Sequence, residues 1–166
     1  MQDTKIRYGT PADLNEVSEL EKLCFPRSEA ADKETFRFRL NTYPQYFHVL
    51  EKNGHIVSMI NGMSTNQKDL CDQMYENSEL YDPDGEWLML FGVATLPAYQ
   101  KNGYASMLMK HIIKETTQHK RKGIVLTCKK ELIGFYSRFG FVNEGISASE
   151  HGGAEWYQMR IVFHFN

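Results

Sequence analysis

The chain has 166 residues, 42% of them hydrophobic and 24% charged, which is the balance of a soluble globular protein able to bury a core without staples. A net charge of -2 gives little support to a nucleic-acid partner, which needs a basic face. No run of about 18 apolar residues occurs, the amino terminus MQDTKIRYGT lacks a signal core, and Cys24, Cys71 and Cys128 never pair as C-x-x-C. The expectation is a reduced, cytoplasmic setting with no membrane partner. His48, His55, His111, His119, His151 and His164 are scattered in sequence at no metal-ligand spacing, so no metal is expected.

Taken in order, Lys5 to Tyr8 suits a first strand. Thr10-Pro11 then caps a helix carrying Leu14, Val17, Leu20, Leu23 and Cys24 inward, and Pro26 stops it. A second helix is expected from Lys33 to Asn41, with Phe36 and Leu40 on its core face and Phe38 on another side. Strands Phe47–Lys52 and His55–Met63 flank Asn53-Gly54, a strong hairpin signal. Ser64 to Glu86 reads as a polar excursion, with a short helix around Asp69 to Asn77 and a closing turn at Asp82-Pro83-Asp84-Gly85.

Trp87 to Val93, WLMLFGV, is dense enough for a strand buried on both faces. Beyond it, Ala105, Leu108, Met109, Ile112 and Ile113 form one face of a helix that begins near Tyr104. Ile124–Cys128 is another buried strand. The strand, helix, strand run implies a right-handed crossover and a parallel pair, with ligands expected beyond the carboxyl ends of those strands. A helix over Leu132 to Phe139, strands Phe141–Gly145 and Trp156–Phe163, and a His151-Gly152-Gly153 turn complete the chain. The expected fold class is α+β: one domain over residues 1–166, a mixed, mostly antiparallel sheet with a parallel central pair, and helices on both faces.

The loop between the central strand and its helix is the chemical focus. A helix start offers unpaired N–H groups and partial positive charge, and Gly103 delivered there makes an anion cradle suited to phosphate. The pattern is Gln100-x-x-Gly103-x-Ala105, neither a dinucleotide G-x-G-x-x-G nor a P-loop. An ordinary strand-to-helix connection and a nucleotide site are both compatible with the hexapeptide.

Together with Phe135-Tyr136-Ser137-Arg138-Phe139-Gly140-Phe141, this pattern resembles the GNAT superfamily of N-acetyltransferases over most of the chain. Ile6-Arg7, Thr10-Pro11-x-Asp13, Glu21-x-x-x-Phe25 and Leu126-x-Cys128 are most similar to the arylalkylamine N-acetyltransferases within it. The strand positions that carry histidines in that group are Phe91 and Leu96 here, and the family's strand carboxylate falls near Met89. None of these three can take a proton.

The resemblance implies direct attack of a small amine on the thioester of acetyl-CoA. Gln100, Lys101, Asn102, Gly103, Tyr104, Ala105 and Ser106 would hold the pyrophosphate. Val93 and Thr95 would bond the pantetheine as an added strand, with Gly92 marking a bulge that opens the edge. The Val93 N–H would serve the carbonyl oxygen, and Tyr136 would be the general acid. Glu86, next to the strand in sequence, is the candidate base acting through water. Phe25, Trp87 and His151 are the candidate substrate contacts. A CoA-binding sensor without turnover is the alternative, motivated by the missing strand base.

Overall fold

Asn53 and Gly54 both take left-handed backbone angles, φ 53° and 82°, and so reverse the chain between two strands of a tight hairpin. The computed structural model describes residues 3–165. Its strands are β1 (Thr4–Tyr8), β2 (Phe47–Lys52), β3 (His55–Thr65), β4 (Trp87–Thr95), β5 (Gly123–Cys128), β6 (Val142–Ile146) and β7 (Tyr157–Val162). The helices are α1 (Leu14–Cys24), α2 (Lys33–Thr42), α3 (Gln73–Glu76), α4 (Tyr104–Gln118) and α5 (Ile133–Ser137). The strands join one mixed sheet in the order β1-β2-β3-β4-β5-β7-β6, with β4 and β5 parallel. This is the expected α+β class.

The chain forms two compact units, one up to Gly62 together with Gly92–His111, the other Met63–Phe91 with Ile112 onward. In the first, Leu14, Val17 and Leu20 of α1 pack with Phe36 and Leu40 of α2, Phe47 and Val49 of β2, Ile56 and Met59 of β3, and Ala94 of β4. Leu23 departs from the expected inward face and is 57% exposed. Nine residues beyond Leu14 at about 100° per residue is half a turn from the buried stripe, so the helix period itself turns Leu23 outward.

The second unit holds the β4–β5 pair, Trp87 to Leu90 against Gly123 to Leu126, and β5 runs antiparallel to β7 through Cys128. Ile124, Val125 and Leu126 are buried, as a continuous apolar run requires. Gly123 is required sterically, because a Cβ there would collide with the Ile161 carbonyl oxygen and the Trp87 ring. The helix expected over Asp69 to Asn77 shrinks to α3. Asp69 instead accepts from Gln158 Nε2 at 3.0 Å and ion-pairs with buried Arg160, which draws this part of the chain out of helical geometry. The late helix is likewise shorter than expected, a turn over Lys130–Leu132 leading into α5.

No helix among the described residues is long and apolar enough to cross a membrane.

Thr10-Pro11 opens a single tight turn, Pro11–Asp13, before α1. Asp13 accepts the Thr10 N–H at 2.8 Å and receives Arg7 in a two-pronged pair at 2.8 and 2.9 Å. Burial pushes the Asp13 carboxyl up, but the Arg7 bonds and the Thr10 N–H outweigh it and hold it below the ordinary carboxylate range. The pair's stabilisation is therefore complete above the unfolded carboxylate's pKa of 3.8 and is lost as pH falls toward the depressed folded value. Asp13→Asn is expected to lower stability by about 2 kcal/mol at pH 7, between a surface pair and a fully buried one. Urea unfolding at pH 7 and pH 3 checks this, with the gap between wild type and variant narrowing at pH 3.

Candidate active site

The loop after β4 is built by two left-handed residues. Lys101 has φ 66° and Gly103 has φ 83°. The Asn102 side-chain amide bridges back to the Tyr99 and Gln100 carbonyls, each at 3.1 Å, and fixes the loop between them. The first helical bond of α4 runs from Met107 N–H to the Gly103 carbonyl at 2.9 Å. The N–H groups of Tyr104, Ala105 and Ser106 precede it and point out of the helix start, where the macrodipole is positive. A Cβ on Gly103 would meet no atom within 4 Å, so glycine is required there by its left-handed backbone and not by close packing.

Gln100 braces this loop. Its side-chain Nε2 donates to the Thr95 carbonyl at 3.1 Å, which also receives the Cys24 Sγ hydrogen at 3.1 Å. Ser58 Oγ donates to the Ala94 carbonyl at 3.0 Å, and Leu96 N–H bonds the Val57 carbonyl at 2.8 Å. The end of β4 is thereby anchored on β3, and Val93 lies half-buried on it. A Cβ on Gly92 would make one ordinary contact, 3.5 Å to Asn61 Nδ2, so packing does not demand glycine there.

Lys52, which the sequence reading passed over, belongs to the same surface. Its ammonium lies over the Tyr104 ring at 5.6 Å. The Lys52 ammonium donates to the Tyr104 hydroxyl, which holds it above the ordinary lysine value. Only its position at the end of a strand, far from the loop in sequence, concealed it.

In the second unit, Tyr75 stacks on the His151 ring at 4.9 Å and 7°, and tilts against Phe91 at 5.0 Å. Trp156 extends the group, 5.9 Å from His151, and donates Nε1–H to the His151 carbonyl at 2.7 Å. Lys129 lies over Trp156 at 5.8 Å. His151 was selected from sequence; Tyr75 and Trp156 were not. Trp87, another candidate substrate contact, is instead buried at the start of β4 under the Arg160 guanidinium at 4.7 Å. Phe25 is half-buried against the first unit's core.

Tyr136 of α5 is buried, its ring edge-on to Phe135 at 5.0 Å and Phe141 at 6.0 Å. Burial, with the Cys128 thiol nearby, pushes its phenol well above the ordinary tyrosine value, and it stays protonated at physiological pH. Glu86 stands before β4, at the opposite end of a nine-residue strand from the loop. It is exposed, paired with Lys122 at 2.7 Å, and lines a hollow of about 500 Å³ with Asp84, His119 and Lys120. The fold also brings together two histidines that are remote in sequence, His48 and His111, with ring centroids 5.7 Å apart.

The Acetyltransferase (GNAT) family profile matches residues 14–141, from the start of α1 to the end of the Phe135–Phe141 motif. The chain belongs to that family. Acetyl-CoA is the acetyl donor of GNAT enzymes, and the loop before α4 ends at a helix start, a geometry compatible with an anion. The fold is shared with the loading GNATL domain of CurA from Lyngbya majuscula, at TM-score 0.82 and 18% identity over 96% of this chain and 97% of that one. It is shared also with the ribosomal-protein-S18-alanine N-acetyltransferase of Escherichia coli, at TM-score 0.73 and 17% identity over 98% and 96%. A GNAT family acetyltransferase from Brucella melitensis in complex with acetyl-CoA matches at TM-score 0.62 and 17% identity over 98% and 90%. No curated protein matches the chain in sequence.

Gly103→Asp places a carboxylate at the residue before α4 and an L side chain at φ 83°. It is expected to abolish acetyl-CoA binding in calorimetry, and Gly103→Ala to weaken it through backbone strain alone. Unchanged affinity in Gly103→Asp would refute the cradle.

Proposed function

We propose that this protein is a single-domain cytoplasmic N-acetyltransferase that moves the acetyl group of acetyl-CoA to the primary amine of a small arylalkylamine-like molecule by direct attack. The observation that carries the reading is the left-handed cradle at the start of α4 in a chain of the acetyltransferase family. In this reading the backbone from Lys101 to Ser106 holds the pyrophosphate, and Lys52 adds a cation. Val93 and Thr95 align the pantetheine, and the Val93 N–H stabilises the charge that builds on the carbonyl oxygen.

The stacked group Tyr75, His151 and Trp156 with Phe91 supports an acceptor with a flat apolar body. Such faces gain from stacking on a second ring. Peptide amino termini, polyamines and aminoglycosides offer the amine without that body.

The proton traffic is demanding. An alkylamine with a pKa near 10.4 is mostly protonated at pH 7, and its neutral form costs about 4–5 kcal/mol. On the other side, a CoA thiolate with a pKa near 8.5 must be neutralised. Tyr136 serves it by hydrogen bonding: burial raises the phenol's pKa and makes full transfer steeper than the roughly 2 kcal/mol separating an ordinary phenol and thiol.

The test is CoA thiol release by the purified protein with acetyl-CoA and tryptamine, phenethylamine, spermidine, kanamycin or an alanine-terminated peptide. Turnover is expected and is expected to favour the two aromatic amines. Acetyl-CoA binding without turnover on any amine would favour the sensor instead. Tyr136→Phe is expected to reduce kcat by about 10- to 100-fold while leaving acetyl-CoA affinity intact; undiminished kcat would remove Tyr136 from the chemistry.

A further inference from the structure

The acetyltransfer reading leaves the amine's proton without an acceptor, since Phe91, Leu96 and Met89 cannot take it and Glu86 is paired with Lys122. The first unit contains a carboxyl with the opposite properties. Glu21, in the last turn of α1, is 6% exposed, and its Oε1 is buried without a hydrogen-bond partner. Its Oε2 accepts the Ala31 N–H at 2.9 Å, which fixes the carboxyl's orientation from the α1–α2 connection. A buried carboxyl oxygen left open costs free energy, so the vacant acceptor calls for a physical account.

Its surroundings lead to the end of β4. Three residues after Glu21, the Cys24 thiol donates to the Thr95 carbonyl at 3.1 Å, fastening the end of α1 to the strand expected to align the pantetheine. Burial pushes that thiol up to about 11, and the negative charge of Glu21 adds to the shift, so the two groups are within electrostatic reach. On the other side, buried Arg39 attracts the Glu21 carboxylate and donates to Asn61 Oδ1 at 2.8 Å. Asn61 Nδ2 in turn lies 3.5 Å from the position a Cβ would take on Gly92, the residue before Val93. The carboxyl thus belongs to a buried polar group that borders β4 at Gly92 through Asn61 and at Thr95 through Cys24.

We propose that Glu21 is the general base of the reaction, Oε1 taking the acceptor's ammonium proton directly or through one water. The assignment rests on the acetyltransferase reading above. The ammonium gives one proton to the carboxylate, and the neutral amine attacks the thioester carbon. The C–N bond forms, the C–S bond breaks, and the electron pair leaves on the CoA sulfur. The attacking nitrogen loses its second proton as the amide forms, the thiolate takes up one proton, and Glu21 returns its own to solvent. One proton is released per acetyl group transferred.

Burial suits the carboxyl to this task. Desolvation raises its pKa, against the pull of the Ala31 N–H and Arg39, and each unit gained removes about a tenfold penalty in taking a proton from an amine.

Glu21→Gln separates this role from loop anchoring, because the amide oxygen still accepts from Ala31 N–H but cannot titrate. The variant is expected to fold with a melting temperature at or below the wild-type value, since buried Arg39 loses a compensating charge, and to keep the wild-type acetyl-CoA affinity. With acetyl-CoA and the fastest amine of the panel, kcat/KM at pH 7 is expected to fall about 100-fold or more, and the acid limb of the pH profile to vanish. In the wild type that limb is expected above the ordinary glutamate range, a readout independent of whether the variant folds. Wild-type kcat/KM and an unchanged limb in Glu21→Gln would overturn the assignment alone, as would a wild-type profile with no acid limb. A wild type that binds acetyl-CoA and turns over no amine would overturn the acetyltransferase reading, and this assignment with it.

Discussion

The chain must leave β4 at Thr95 and start α4 at Tyr104 with its first N–H groups facing outward, and two left-handed residues make that possible. Lys101 at φ 66° carries a cost that most side chains avoid, whereas Gly103 at φ 83° does not. The strain is offset locally. Asn102 clamps two carbonyls of the loop, and Gln100 reaches back to the Thr95 carbonyl, so the turn is tied to the strand it leaves. An anion placed before α4 then meets donors already aimed at it and need not reorganise them.

The same Thr95 carbonyl receives the Cys24 thiol, which makes one backbone oxygen a shared anchor for α1, β4 and the cradle loop. The same unit also holds buried charge. Arg39, 3% exposed, is satisfied in part through Asn61, while Glu21, 6% exposed, has one oxygen engaged and one open. A fold selected for stability alone would gain by replacing such a pair with apolar side chains of similar volume. Under the proposed assignment, the chemistry that needs a desolvated carboxyl is what retains it.

Local pattern made the elements legible. The hairpin at Asn53-Gly54, the continuous apolar β4 and β5, and the helix after Gly103 each follow from signals within a short window, and the structure has them close to the expected bounds. The strand, the loop and the helix start were legible for the same reason, since they are contiguous. What escaped depends on contacts between residues far apart in sequence. Asp69 is drawn from its expected helix by Arg160, Tyr75 finds His151, and Lys52 finds Tyr104. Glu21 was visible only as part of Glu21-x-x-x-Phe25, with nothing in that spacing to show that one of its oxygens would be buried without a partner. Glu86 attracted attention by lying next to β4 in sequence, and that adjacency puts it at the end of the strand remote from the loop.

This division follows the reaction's two substrates. The phosphates of the donor can be met by backbone groups, whose geometry a short motif is enough to specify. On the proposed reading the acceptor amine meets an aromatic surface and a base, and both are side-chain properties set by tertiary burial. The Tyr75, His151 and Trp156 stack collects residues from an excursion before β4 and a turn before β7, segments under little local constraint. Substitutions there can alter the flat face offered to an acceptor while the loop from Thr95 to Tyr104 stays unchanged. Acceptor choice can therefore drift among chains that keep the same loop, and a fold match below 20% identity carries the fold and not the identity of the amine.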